Sequence, residues 1–267
     1  KIAEGPGKLI GIMGASGAGK TTLLTLLAGL EKPSVGKIKI NGFDIHQDKK
    51  KVEGVIGYVS QDDLLIEELT VYQNLFYNAK LCFAHLNEIE IDLRVMKVLE
   101  DLGLDHRKDL KVGGVLNKLI SGGQRKRLNI ALELIRQPAV LFLDEPTSGL
   151  SSRDSENVID LLKELSLKGK LIFVVIHQPS SDIYKMFDKM IILDTGGYMI
   201  YYGNPVEAVM YFKKIDAQIN AEVGECPTCG NVNPELVFNI IEAKVVDEFG
   251  NYTDSRKTSP QKWEEFY

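Results

Sequence analysis

Cysteine is scarce in this chain, and its placement excludes a disulfide scaffold. Cys82, Cys226 and Cys229 are an odd number at uneven spacing in 267 residues, a usage that suits a reducing, cytosolic compartment. Long apolar runs are also missing. Runs such as Leu171 to Ile176 and Met190 to Leu193 fall far short of the about 18 to 20 residues that cross a bilayer, so this stretch is not expected to span a membrane. Positive charge is not in excess either: 32 Lys and Arg stand against 37 Asp and Glu, a net charge of −5. That balance gives no general electrostatic reason to bind DNA, RNA or anionic lipid. No basic, then apolar, then small-residue pattern opens the chain, and Lys1 stands where Met would, so an excised domain with its natural N-terminus upstream is expected. Internal repeats and low-complexity tracts are absent.

What remains is an ordinary globular composition, 44% hydrophobic and 26% charged, long enough to build a core without staples. Lys8 to Met13 is a short apolar strand ending in a glycine cluster, and Thr21 to Leu30 has leucines at helical spacing with Gly29 near its end. Lys37 to Ile40 and Val55 to Val59 are strand-like, with an Asn41-Gly42 turn. From Thr70 to Leu102 the pattern becomes amphipathic, with Val71, Leu75 and Ala79 and then Leu93, Met96, Val98, Leu99 and Leu102, which predicts helices. A helix behind Ser121, strands at Ala139 to Leu143 and Leu171 to Ile176, and a helix over Asn157 to Leu167 complete an alternating order. Such an order makes a parallel, doubly wound sheet with its ligand at the carboxyl ends of the strands. Beyond Phe212 the sequence turns polar and reads as an extension or linker.

Gly14-Ala15-Ser16-Gly17-Ala18-Gly19-Lys20-Thr21 matches the phosphate-loop pattern G-x-x-x-x-G-K-[ST] between a strand and a helix. Its glycines let backbone N–H groups curl around phosphate, Lys20 would neutralise β- and γ-phosphates, and Thr21, with Thr22 beside it, opens the helix whose positive end faces the anion. The Thr21 hydroxyl would reach Mg²⁺. Val140 to Leu143 followed by Asp144-Glu145 is an apolar strand ending in two carboxylates that pleating sends in different directions. Asp144 is expected to reach Mg²⁺ through water and Glu145 to polarise the water that attacks the γ-phosphate. Ser121-Gly122-Gly123 at a helix start is a second anion nest.

With Ile120-Ser121-Gly122-Gly123-Gln124 in view, the chain resembles the ATP-binding cassette (ABC) family, over about Gly5 to Phe212. The resemblance implies that Gln61 is the Q-loop glutamine that binds Mg²⁺ and communicates with the membrane partner, that Ser148-Gly149-Leu150-Ser151 is the D-loop, and that His177 is the switch histidine at the γ-phosphate. Leu69-Thr70-Val71-Tyr72-Gln73-Asn74-Leu75, Ser121 to Arg127, His177-Gln178-Pro179-Ser180-Ser181, Tyr201-Tyr202-Gly203-Asn204-Pro205 and the Cys226 to Glu235 segment are similar to the White-type G subfamily. Two positions depart from that subfamily, which usually has Glu at 124 and Asp at 151, whereas this chain has Gln124 and Ser151. The family's adenine-stacking aromatic lies on a strand well before the phosphate loop, so no adenine-binding residue is named.

Other features have plainer readings. Cys226-Pro-Thr-Cys229 is half of a zinc-ribbon spacing with no second half, Lys49-Lys50-Lys51 is a solvated turn, and Asn251-Tyr252-Thr253 fits a glycosylation acceptor by chance. Arg125-Lys126-Arg127 is open between a solvated helix face, contact with a membrane partner, and contact with phosphate or lipid.

The sequence therefore predicts an α/β fold, a P-loop NTPase core with a mainly parallel sheet plus an ABC-type helical subdomain and a short antiparallel β region. Residues 1–61 and 140–212 form the nucleotide-binding core, 62–139 the helical subdomain, and 213–267 the extension toward a membrane domain. The resemblance implies a Mg²⁺-dependent ATPase at the cytoplasmic face of the cell membrane, in an exporting half-transporter. Its partners would be the transmembrane domains of that transporter and a second nucleotide-binding domain, with no nucleic acid. Two rival readings are a soluble cassette ATPase acting on chromosomes or ribosomes, which the single cassette and lack of heptads disfavour, and a switch without turnover, which the intact Asp144-Glu145 pair disfavours.

Overall fold

The computed structural model describes residues 2–114 and 119–267; Lys1 and residues 115–118, the latter within the expected helical subdomain, lie outside the described residues. The chain begins with strand β1 (Lys8–Gly14) and helix α1 (Lys20–Leu27), then a small hairpin of β2 (Lys39–Ile40) and β3 (Phe43–Asp44), the turn-like α2 (Lys49–Val52) and β4 (Ile56–Val59). The helical segment follows, with α3 (Val71–Cys82), α4 (Glu88–Asp101) and α5 (Gly122–Leu134). Next come β5 (Val140–Asp144), α6 (Ser152–Leu167), β6 (Leu171–Val175), α7 (Ser181–Met186), β7 (Lys189–Asp194), β8 (Tyr198–Gly203) and α8 (Pro205–Ile215). The tail holds α9 (Glu235–Ile241), the hairpin β9 (Lys244–Val246) and β10 (Tyr252–Arg256), and α10 (Pro260–Phe266).

The main sheet has the order β4-β5-β6-β1-β7-β8. Every pairing in it is parallel except that of β7 with β8. Pleating divides its side chains between two dry layers. Leu9, Met13, Leu141, Leu143, Ile172, Val174, Met190 and Ile192 face one cluster with α3 to α6 and α8, while Ile10, Ile12, Val140, Phe142, Phe173, Val175, Ile191 and Leu193 face a second with α1. Burial on both faces is why these strands read as continuous apolar runs rather than alternating ones.

Thr70, Asn87 and Ser121 begin α3, α4 and α5 with capping boxes closed by Gln73, Glu90 and Gln124, each satisfying backbone N–H groups that the first turn leaves free. Within α4 the structure corrects the expected stripe: Ile91, Val95 and Leu99 are buried, whereas Leu93 is exposed. Spacing alone defines relative angles around a helix, and the polar residues between Leu93 and Leu99 do not reveal which stripe meets α3 and α5. The tail is not a loose linker. Val232, Val237, Ile240, Ile241 and Trp263 enter the larger core cluster, and Trp263 packs edge-on against Phe212 with ring centroids 5.5 Å apart.

The N-terminal segment is clamped to the sheet by one carboxylate. Glu4 lies between Lys8, Lys189 at 2.6 Å and the Tyr202 hydroxyl. Burial opposes its ionisation, but those three donors outweigh burial and hold the pKa lowered from 4.5 to about 2. A carboxylate depressed in the fold stabilises above its unfolded pKa and loses that contribution as pH falls toward the folded one. Glu4→Gln should therefore cost at most about 3 kcal/mol at pH 7, and the gap in urea midpoint between variant and parent should narrow from pH 4.5 toward pH 2. A gap that stays constant over that range would assign the effect to packing instead.

Candidate nucleotide site

All the sequence-predicted residues of the core cluster at one edge because they follow parallel strands. Gln61 follows β4, Asp144 ends β5 with Glu145 behind it, His177 follows β6, and Gly14 ends β1. Since β4, β5, β6 and β1 are neighbours in that order, groups more than a hundred residues apart in sequence share one row of strand ends.

Gly19 carries φ +87° and is the N-cap of α1, a left-handed conformation that glycine adopts without the Cβ penalty. The turn brings Lys20 to the first position of the helix, one residue earlier than the periodicity indicated. The Lys20 ammonium is buried and donates to the Gly14 and Ala15 carbonyls at 2.9 and 3.0 Å, so the charge sits inside the loop. Ser16, Gly17, Thr21 and Thr22 are exposed around it, Ala15 and Gly19 are half-buried, and Ala18 packs into the smaller core cluster.

Thr21 donates from Oγ1 to the Asp144 carboxylate at 3.2 Å. Asp144 is 4% exposed. Burial pushes its carboxyl pKa above 3.8 and the neighbouring Glu145 charge adds to this, while the Thr21 hydrogen bond and Lys20 oppose them. Glu145 leaves the strand in a left-handed conformation, φ +45°, and accepts from Gln61 Nε2 at 3.3 Å. The two carboxylates thus diverge as expected, but a backbone turn at Glu145 does part of what pleating was expected to do. His177 is exposed beyond β6 and is followed by Gln178 at φ +43°.

The Ser121-Gly122-Gly123 nest lies elsewhere. No hydrogen bond or ion pair among the described residues joins it to the phosphate loop; it packs against Leu150 and α6, where a Cβ on Gly123 would meet Asp154 Oδ1 at 2.8 Å and one on Gly122 would meet Leu150 at 3.1 Å. Both subfamily departures are locally coherent. Gln124 accepts from the Ser121 N–H at 2.9 Å to close the capping box, and Ser151 caps α6, accepting from the Asp154 N–H and donating to its carboxylate at 2.9 Å.

The basic cluster after the nest proves to be internal scaffolding. Arg125 is buried and reaches Asp63 at 3.1 Å and the Gly113 carbonyl at 2.6 Å. Lys126 donates to the Gln61 carbonyl at 2.6 Å, and Arg127 to the Leu102 carbonyl. With Asn129 accepting from Leu64 N–H and Asn74 bonded at both ends to Ile66, these residues hold the segment after Gln61. Buried polar residues inside amphipathic helices were the available signal for this network. Among the described residues no group of three or more His, Cys, Asp or Glu is placed to share a metal ion, so Cys226 and Cys229 have no such set around them.

A glycine loop wrapped round a lysine and a strand-end Asp-Glu pair on a mostly parallel sheet, with a Ser-Gly-Gly entry to α5, define an ABC-type P-loop NTPase fold. Residues 3–148 match the family described as ABC transporter, and residues 177–263 match one described as ABC-2 type transporter. The chain belongs to the ABC transporter family. It is 43% identical over 241 residues to ABC transporter G family member 28 of Arabidopsis thaliana, covering 89% of this chain and 21% of that protein. It is 40% identical over 237 residues to Protein white of Drosophila melanogaster, covering 86% of this chain and 33% of that protein. The chain thus spans between about a fifth and a third of the length of these relatives. No helix among the described residues is long and apolar enough to cross a membrane.

A carboxylate whose pKa is raised in the fold destabilises once ionised, so stability falls as pH rises through the window above 3.8. Asp144→Asn removes that cost while keeping an oxygen for Thr21. Its denaturation midpoint at pH 7 should exceed the parent's, with the two converging below pH 3.8. A lower midpoint at neutral pH would contradict the desolvation account.

Proposed function

We propose that this chain is the ATP-hydrolysing domain of a G-type half-transporter, held at the cytoplasmic face of the cell membrane, that drives export by its transmembrane domains through ATP-dependent closure onto a second nucleotide-binding domain. The observation that carries the reading is the pair of contacts Thr21–Asp144 and Gln61–Glu145 at adjacent strand ends. One supplies hard oxygens and the other an oriented carboxylate.

The donor set fits Mg²⁺: the Thr21 hydroxyl, the Asp144 carboxylate acting through water, and the Gln61 amide oxygen are the kind of ligands that ion takes. When bound, Mg²⁺ neutralises charge on the β- and γ-phosphate oxygens. The protein's own groups do the rest. Backbone N–H groups from Gly14 to Thr22 cradle the phosphates at the positive end of α1. Lys20, already inside the loop, exchanges its carbonyl partners for phosphate oxygens. Glu145 orients the attacking water and accepts its proton, with Gln61 holding the carboxylate in place. His177, at the end of the neighbouring strand, faces the γ-phosphate. Ser121, Gly122 and Gly123 serve the partner's ATP, consistent with a nest that has no bond to its own loop. Closure then completes the donors around the transferring phosphoryl group.

The Glu145→Gln protein tests this reading by sedimentation with MgATP and with MgADP, alongside steady-state phosphate release. The expected outcome is a dimer with MgATP alone and phosphate release reduced at least about a hundredfold, the scale on which a general base contributes. Unchanged turnover would remove Glu145 as the base, and a monomer with both nucleotides would remove ATP-driven closure.

A further inference from the structure

The tail presents two thiols in a small closed turn that the ATPase reading does not use. Cys226 and Cys229 are both exposed and free. An antiparallel bridge between Glu225 and Val232 closes the base of the loop, and Cys226 N–H donates to the Asn231 carbonyl at 2.8 Å. Gly230, at φ +69°, turns back so that its N–H reaches the Cys226 carbonyl at 2.8 Å. This i+4 to i closure is one helical turn that is not continued, in which residues i and i+3 are neighbours about 5–6 Å apart at Cβ; the Cys229 N–H and thiol lie against the Cys226 sulfur, close to the range a disulfide bridges.

The turn is anchored rather than floating. Val232 is buried in the main core, its N–H donates to Ser181 Oγ at 2.9 Å, and Lys185 Nζ donates to the Gly230 carbonyl at 3.0 Å. Both partners belong to α7, which starts four residues after His177. The surroundings also favour thiolate at the first cysteine: the backbone N–H groups of Cys229 and Thr228 and the Cys229 thiol hold the Cys226 thiol below the usual cysteine range. Cys82, the third cysteine, sits alone at the end of α3, which gives an internal comparison.

We propose that Cys226 and Cys229 form a thiol–disulfide exchange site for small disulfides of the glutathione class. The Cys226 thiolate attacks one sulfur of the small disulfide, forming a mixed disulfide and releasing the other half as a thiolate that takes a proton from solvent. Cys229 gives its proton to solvent and displaces the second half, so that a Cys226–Cys229 bond forms. Two protein thiols lose two electrons and one small disulfide becomes two thiols. In the reduced cytosolic pool the pair rests as dithiol, and a rise in small disulfide closes the ring.

The test needs no nucleotide, so its outcome is independent of the proposed ATPase mechanism. The purified chain is equilibrated in reduced and oxidised glutathione mixtures, quenched in acid, alkylated and mapped by peptide mass. The expected result is loss of alkylation at Cys226 and Cys229 together, with a peptide bridging them, while Cys82 stays alkylated. Cys229→Ser should instead accumulate glutathione on Cys226, and Cys226→Ser should show no comparable adduct on Cys229. Mixed disulfides without an internal bridge in the parent, or oxidation of Cys82 at the same ratio as the pair, would overturn the proposal.

Discussion

The constraint on which this molecule depends is a parallel sheet buried on both faces. Ile10, Ile12 and Phe142 on one side and Leu9, Met13 and Leu143 on the other leave no polar surface on the strands themselves. Charge can be tolerated only at the strand ends, where backbone and helix N-termini meet solvent. Asp144 shows how steep that boundary is. It ends β5, stays nearly enclosed, and its carboxyl is held above the usual range by burial even with Thr21 donating to it. One residue further, Glu145 turns through a left-handed conformation and emerges beside Gln61.

A second set of contacts determines how the helical segment rides on this sheet. Arg125 and Lys126 are threaded back to Asp63 and to the carbonyls of Gly113 and Gln61, so the helix that starts at the Ser121 nest also holds the segment carrying Gln61. A largely buried, paired Arg is costly to unpair, which makes this connection stiff. The helix that starts at the Ser121 nest is thus joined through Lys126 to Gln61, and Gln61 to Glu145, by hydrogen bonds within one chain.

The tail adds a third layer. Asp194, at the end of β7 and almost fully buried, is paired with Arg256 of β10 at 2.7 Å, and β7 is the strand that runs beside the end of β1 at the phosphate loop. Trp263 closes over Phe212. The polar composition of this region conceals a few apolar anchors that dock it, Val232, Val237, Ile240, Ile241 and Trp263, each large buried side chain worth about 1.5–3 kcal/mol.

Sequence by itself determined the strand, loop and helix at Lys8–Leu27, the Asp144-Glu145 strand end, the capped start of α5 and the parallel, α/β character of the core. Each of those is a local pattern in which glycine placement, apolar runs and cap residues act over a few positions. Only the tertiary structure decided which face of α4 is buried, why Arg125, Lys126 and Arg127 point inward, that the tail returns to the core, and that Gln61 meets Glu145. Those outcomes depend on partners outside the local pattern, from Leu102 25 residues before Arg127 to Glu145 84 residues after Gln61, brought together by the tertiary fold, and nothing in the local pattern of either partner encodes the other. Distance along the chain, rather than chemical subtlety, separates what could be read from what had to be folded.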